Sequence, residues 1–403
     1  MSNIKINIKS IWFGLLVLYL LSSYFAHDAI MSSTVNSIIL YAFLGYSAFA
    51  IFCSSRIRFA PIVLWEVLCL ALAAISMALY TSFSDFGSTF YSMIVNFILV
   101  FILTQMPWNE LRFAMILKSF AVSAAGLIVI LFLTGNLQDD SETGRLGQSL
   151  TGNANILAMM LMVGAMYAIW LLVSAKTTKA KLIWGIAISI TYIGMFLSGG
   201  RKFIVAPIIF AYILLIVKRD KRGKKHIIWY TVLVAAILIA LYQLIMKVPV
   251  FYDSIGYRFD GFFALFDDSK TADGSTLLRQ AMIEAGWAKW PETPLFGHGF
   301  DSFKYYNAAS VTGNLYYSHN NFIELLYNQG LVGFAAYYSF YVYLIAKALK
   351  SKANLLYKGL ILGTIISCLL FEYFAVTYTA TPIQLMLFIC SCALNDKKEV
   401  IDG

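Results

Sequence analysis

The chain has 403 residues, 60% of them hydrophobic and only 13% charged, with a formal net charge of +9. A mean hydropathy of +0.75 excludes a soluble globular domain, whose apolar share is nearer one half. Nor does the charge call for a nucleic-acid partner, because the basic residues are set at intervals between apolar runs.

A membrane span needs about 20 mostly apolar residues, and about twelve such stretches can be placed. They cover residues 11–26, 35–53, 60–80, 87–105, 111–134, 154–174, 182–198, 203–217, 227–247, 329–349, 359–376 and 383–395. Backbone amides in lipid must be bonded internally, and runs this long without alternation form helices rather than barrel strands. The predicted fold is an all-α polytopic membrane bundle in three parts. Residues 1–248 hold the first nine helices, residues 249–321 a large loop, and residues 322–403 the last three helices and a C-terminal tail.

Lys5 and Lys9 precede the first apolar stretch, which could be mistaken for a secretion signal. Tyr24-Phe25-Ala26 lacks the small residue three back that cleavage prefers, so an uncleaved anchor is expected. Arg56 and Arg58, Arg112 and Lys118, Lys176 with Lys179 and Lys181, the run Lys218–Lys225, then Lys347 to Lys358 and Lys397 with Lys398 fall at the same side of alternate spans. The bias of Lys and Arg toward the cytoplasm puts both termini there and turns the long loop outward. The run Lys218–Lys225 is read as topogenic rather than as a site for anionic lipid or nucleic acid. All five cysteines lie within or at the ends of spans, so none staples the outer loop and no spacing resembles a metal site.

In chain order, the outer side first offers a small loop, Gly135 to Asn155, carrying Asp139, Asp140, Glu142 and Arg145. Next comes a tight turn, Ser198-Gly199-Gly200-Arg201-Lys202. Glycines let the backbone approach a ligand, and an arginine matches phosphate oxygens bidentately; alternatively Arg201 snorkels at a span end. A cationic pair on the outer side runs against the charge bias, which weighs toward function. In the long loop, residues from Thr276 to Trp290 read as an amphipathic helix, and Pro291, Pro294, Gly297 and Gly299 as turns. Trp287, Trp290, Phe296, Phe300, Phe303, Tyr305 and Tyr306 give this loop enough aromatic surface to fold over the bundle or lie in the interface. A half-apolar helix from Asn320 to Gln329 is then stopped by Gly330.

His319, at the boundary where the loop re-enters apolar sequence, can take a proton from a hydroxyl near neutral pH, or merely cap a helix. Asn320 and Glu324 share a helix face and can orient a neighbour, or serve as cap and first-turn acid. Arg279 and Arg258, each flanked by apolar residues, are anion binders or partners of surface carboxylates. His298 reads as a turn residue, and Glu66 inside the third span must face the interior. With no nucleotide fingerprint in the cytoplasmic segments, the residues describe an outward-facing site in which arginines hold an anionic headgroup and a histidine handles a proton. A lipid-linked phosphate fits.

The order of Ser198-Gly199-Gly200-Arg201-Lys202, Leu278-Arg279-Gln280-Ala281-Met282, Trp290-Pro291-Glu292-Thr293-Pro294-Leu295-Phe296-Gly297-His298-Gly299, His319-Asn320-Asn321-Phe322-Ile323-Glu324 and Gln329-Gly330-Leu331-Val332-Gly333 resembles the O-antigen ligase and polymerase superfamily. The resemblance implies a GT-C-type glycosyltransferase of the bacterial inner membrane, acting on its periplasmic side by an inverting reaction that needs no metal or other cofactor. The implied donor is a glycan on undecaprenyl diphosphate, and the acceptor a further lipid-linked repeat unit or lipid A–core. Arg201 and Arg279 would hold the diphosphate, with Arg258 and Lys202 as further contacts, His319 would orient or deprotonate the acceptor hydroxyl, and Asn320 and Glu324 would support it. Membrane lipid and a chain-length regulator protein are the other implied partners. The Gly-Gly-Arg-Lys form of the turn leans toward a repeat-unit polymerase, with a ligase as the alternative. A transporter of lipid-linked glycans is a third reading, disfavoured by the lack of internal repeats and of matched broken helices. With Arg201 placed two spans before the long loop, that loop is expected to be one wall of a cavity whose other wall is membrane helix.

Overall fold

A computed structural model describes residues 8–26, 30–54, 56–80, 87–137, 145–147, 153–218, 225–252, 256 and 274–394. Lys5, Asp139, Asp140, Glu142, Arg258, the basic run 219–224 and Lys397 with Lys398 lie outside the described residues. The described chain is all-helical: α1 Ile8–Phe25, α2 Ser33–Phe52, α3 Pro61–Tyr80, α4 Gly87–Gln105, α5 Glu110–Leu133, α6 Ala154–Ser174, α7 Thr178–Leu197, α8 Arg201–Lys218, α9 Lys225–Lys247, α10 Gly274–Lys289, α11 Phe303–Ser310, α12 Asn321–Lys350, α13 Leu355–Glu372 and α14 Thr381–Leu394. Among the described residues 10 helices are long and apolar enough to cross a membrane. The two remaining predicted stretches are filled by α8, charged at both ends, and α14, an apolar helix of 14 residues.

Short polar residues start these helices where the sequence places them. Asn109, Thr177 and Asn354 each accept a hydrogen bond from a first-turn amide of α5, α7 and α13, satisfying donors that a helix start leaves without partners. In the interior, α6 is the central helix, with 72% of its apolar window buried, whereas α9 has 0% and presents its side chains outward. Close contact between α13 and α8 follows from Gly359 and Gly363, spaced four apart so that both face Leu214 and Phe210. A methyl added at Gly359 would stand 2.7 Å from Leu214 Cδ1, so small residues set how near these helices come.

Polar groups in the bundle are mostly paired across helices. The Trp65 indole donates to the Ala336 and Tyr337 carbonyls at 2.9 and 3.0 Å, tying α3 to α12. Asn96 of α4 donates to the Thr379 carbonyl and accepts from Thr381, at 2.8 and 2.7 Å. Glu66 does face the interior, at 3% exposure, with its Oε1 free of hydrogen bonds. The basic connections meet at one end of the bundle, where the Arg58 amide donates to Gln105 and Lys218 to the Val173 carbonyl. The connections that carry the site residues meet at the opposite end.

Candidate active site at the break in α12

The helix that follows His319 is not continuous. Gly330 adopts φ 63°, ψ −164°, breaking α12 into a half-helix from Asn321 and a longer segment ending at Lys350. The break frees backbone groups that lipid could not satisfy, and the preceding loop takes them. His298 and Gly299 amides donate to the Tyr327 and Asn328 carbonyls at 2.8 and 3.0 Å, while Leu331 and Val332 amides donate to the Pro294 and Leu295 carbonyls at 2.8 and 3.0 Å. The run from Pro294 to Gly299 is therefore a backbone plug. His298 bears out the turn reading: its ring stacks on Tyr327 at 4.5 Å and pairs with the Lys289 carbonyl.

The half-helix is held at its start by the residues that flank His319. Asn320 caps it, accepting from the Phe322 and Ile323 amides at 3.0 and 3.1 Å, and donates its own amide group to the Tyr373 carbonyl at 3.1 Å. Glu324 reaches back to accept from the Ser318 amide at 2.8 Å and takes Asn328 Nδ2 on its other oxygen. Both side chains are buried, so of the two roles open to them the geometry favours cap and clamp. Between Ser318 and Asn320 the backbone of His319 is forced to φ 56°, a left-handed conformation that costs a non-glycine residue energy. Among the described residues only Asp301 shares this feature, and such strain concentrates at functional positions.

His319 is half-buried, and burial together with the charges of Arg279 and Lys202 lowers its pKa from the usual 6.5 to about 4. The imidazole is therefore neutral near pH 7 and able to accept a proton. Lys202 Nζ donates to the Phe374 carbonyl at 2.8 Å and lies 5.2 and 4.9 Å from the ring centres of Phe203 and Phe371. Arg279, from α10 in the long loop, and Lys202, from the first turn of α8, both bear electrostatically on His319. Arg201 begins α8 directly after the Ser198-Gly199-Gly200 turn; its side chain lies outside the described residues, as does Arg258 altogether.

A further cation, carried by the small outer loop, stands here. Arg145 donates from Nε to the Ser198 carbonyl at 2.8 Å and from its guanidinium to Asn155 Oδ1 at 3.3 Å, and its charge bears on Lys202. The neighbouring Leu146 amide donates to the Leu197 carbonyl at 3.0 Å, which seats the small loop on the end of α7. Gly144 and Gly147 flank it much as glycines precede Arg201, so the signal in the sequence was a second glycine-bounded arginine on the outer side.

Residues 185–338 match the family described as O-antigen ligase. That segment is similar to the O-antigen ligase family. No curated protein matches the chain. The matched segment includes the Ser198–Lys202 turn, Arg279, the plug, His319 and the break at Gly330, and accords with the resemblance drawn from the motifs. Arg145 lies before it, and Glu372 after it.

Glu372, the last residue of α13, is fully buried and accepts from Tyr341 at 2.6 Å, Tyr338 at 3.0 Å, Tyr337 at 3.1 Å and Thr377 at 3.0 Å. Asn321 joins this cage, donating to the Tyr338 hydroxyl and accepting from the Thr377 and Tyr378 amides. The cage pins the turn after α13, whose Tyr373 and Phe374 carbonyls hold Asn320 and Lys202. Glu372→Leu strands these hydroxyls, at about 1–3 kcal/mol for each that finds no substitute. Thermal unfolding in detergent should show a larger fall in Tm for Glu372→Leu than for Tyr341→Phe, and equal values would show that the cage contributes no stability.

Proposed function

We propose that the protein is a periplasm-facing glycosyltransferase of the bacterial inner membrane. It joins glycans carried on undecaprenyl diphosphate into longer repeat-unit polymers. The observation that carries this reading is a neutral histidine set beside Arg279 and Lys202, the lysine amine itself brought down to about 7 by burial and by the Arg279 and Arg145 charges, so that an anion arriving here would draw it to its charged form. An acceptor hydroxyl attacks the anomeric carbon of the donor sugar and the bond to the diphosphate oxygen breaks, inverting the centre. The proton passes to His319, and the electron pair leaves on the diphosphate. Arg279 and Lys202, with Arg145 and Arg201 at the adjacent turn, offset the charge that develops there. Both termini are then cytoplasmic, as the charge bias requires.

Transfer to lipid A–core is the second reading, favoured by the match to a family described as a ligase. The Gly-Gly-Arg-Lys turn favours polymerisation. A transporter reading loses one earlier objection, since α12 is broken at Gly330. It gains a stronger one: the groups freed by the break are closed by loop backbone rather than offered to a passing ligand. Purified protein in bilayer nanodiscs, given a labelled lipid-diphosphate repeat unit and lipid A–core together, separates the readings. Longer lipid-linked glycans are expected; label on core indicates the ligase, and unchanged donor overturns glycosyl transfer.

A further inference from the structure

The large apolar side chains of the long loop part into two sets. Phe300 and Phe303 are fully buried against the rest of the protein, whereas Trp287, Leu295 and Phe296 are each more than half exposed. The exposed set is held together as one surface. Trp287 packs on Trp290 with ring centres 5.4 Å apart, and the Trp290 indole donates to the Pro294 carbonyl at 3.1 Å. The Pro294 and Leu295 carbonyls in turn accept from the Leu331 and Val332 amides, so this surface meets α12 at its break. Apolar area left open in this way marks a contact with a partner.

The chemistry of that partner follows from what the surface joins. Leu331, Ala335, Val342 and Leu349 are exposed at helical spacing on one face of α12, the stripe that this span turns to lipid. Leu331 heads the stripe and is bonded to the plug, so the exposed loop residues continue a lipid-facing surface. Depth agrees. From Leu331 to Lys350 the helix rises about 30 Å at 1.5 Å per residue, the thickness of a hydrocarbon core, with Lys347 and Lys350 at its basic end. The break at Gly330 then lies at the opposite boundary of that core, with Leu295 and Phe296 beside it. Charge agrees as well. Lys289 and Glu292 pair at 2.7 Å and leave the patch without net charge, whereas the middle of α10 exposes Gln280 and Glu284, bonded to each other at 2.8 Å, and so faces water.

We propose that Trp287, Leu295 and Phe296 enter the membrane leaflet nearer the site, where phospholipid acyl chains cover them, so that the long loop is anchored in lipid as well as on α12. The inference concerns the lipid surface alone and holds whether or not the site transfers a sugar. Tryptophan belongs at such a boundary because its ring is apolar and its N–H can meet headgroups or water. The consequence is positional. Arg279 precedes Trp287 on α10 by about 12 Å of helix, so the anchor holds this cation close to the level of the phospholipid headgroups.

The test attaches a fluorescent nitrobenzoxadiazole label to cysteine at Phe296 in the full chain, reconstituted in nanodiscs of phosphatidylethanolamine and phosphatidylglycerol. Cys53, the exposed native thiol, is first replaced by serine. Phe296→Cys is expected to lose more than about half of its emission to phospholipid carrying a nitroxide near the headgroup end of its acyl chain, and less than about a tenth to aqueous iodide. Glu284→Cys, on the water-facing side of α10, is expected to show the reverse order. Iodide quenching at Phe296→Cys as strong as at Glu284→Cys overturns the proposal, because the surface then faces water. Shielding from both quenchers overturns it too, since a second copy of the chain or another protein then covers the surface. Should Phe296→Cys, next to the break, fail to fold, Trp287→Cys at the end of α10 carries the same expectation and decides.

Discussion

His319→Ala is expected to lower glycan transfer by about 10²–10⁴-fold, the usual contribution of a positioned base, while the protein still inserts into the membrane. Cells carrying the native repeat-unit pathway then lose their glycan ladder, and a normal ladder would remove His319 from the mechanism. The pH profile gives a second, sharper reading of the same residue. Its pKa of about 4 arises from burial and then from the Arg279 and Lys202 charges, so a bound diphosphate, by neutralising those cations, returns it toward its ordinary value. The acid limb of kcat/KM, which reports the free enzyme, is therefore expected near pH 4, and that of kcat above it but short of 6.5, because burial, the largest cause, persists in the complex. Coincident limbs would mean that the diphosphate does not lie among these cations. Since the folded pKa is the lower one, His319 contributes stability that is present above about pH 6.5 and lost as pH falls through about 4. Arg279→Ala and Arg145→Ala should instead raise the KM for the donor.

Gly330→Ala is expected to release the plug. A Cβ at this position would stand 2.4 Å from the Leu295 carbonyl carbon and oxygen and 2.5 Å from the Phe296 amide. The backbone conformation there, φ 63° with ψ −164°, is essentially confined to glycine and costs other residues about 1–3 kcal/mol. A helix running straight through residue 330 avoids both penalties, but it withdraws the backbone groups on which residues 294–299 are seated. Hydrogen exchange should then accelerate at His298, Gly299, Leu331 and Val332, with loss of activity because Arg279 is carried by the same loop. Unchanged exchange at these amides would show that the interlock is not what holds the loop. Gly297, at φ 69° and with its Cβ position 2.6 Å from the Gly330 amide, faces the same restriction from the other side.

Much of this architecture was legible in the sequence because it depends on local or repetitive signals. Every predicted apolar stretch holds a helix, since length and hydropathy alone decide what can cross a bilayer. The stop at Gly330 and the cap at Asn320 were readable because helix termini depend on a few adjacent residues. Asn320 and Glu324 show the limit of such reading, for their spacing fitted both an orienting role and a capping one. Only the contacts with Ser318, Phe322 and Asn328 separated these. Arg145 and Glu372 escaped notice for a related reason, as their partners are far away in the chain.

The sequence by itself determined that this is a multi-span helical membrane protein, which end of each helix is basic, and which short motifs interrupt the apolar runs. Those properties follow from composition and from the order of residues within a turn or two. Only the tertiary structure decided that His319 is neutral, that Arg145 joins Lys202 and Arg279, and that the proline-glycine segment closes a broken helix. A pKa depends on burial and on charges brought close from distant segments, and backbone groups freed at position 330 find partners 29 to 37 residues earlier, so neither is written in any local stretch of sequence.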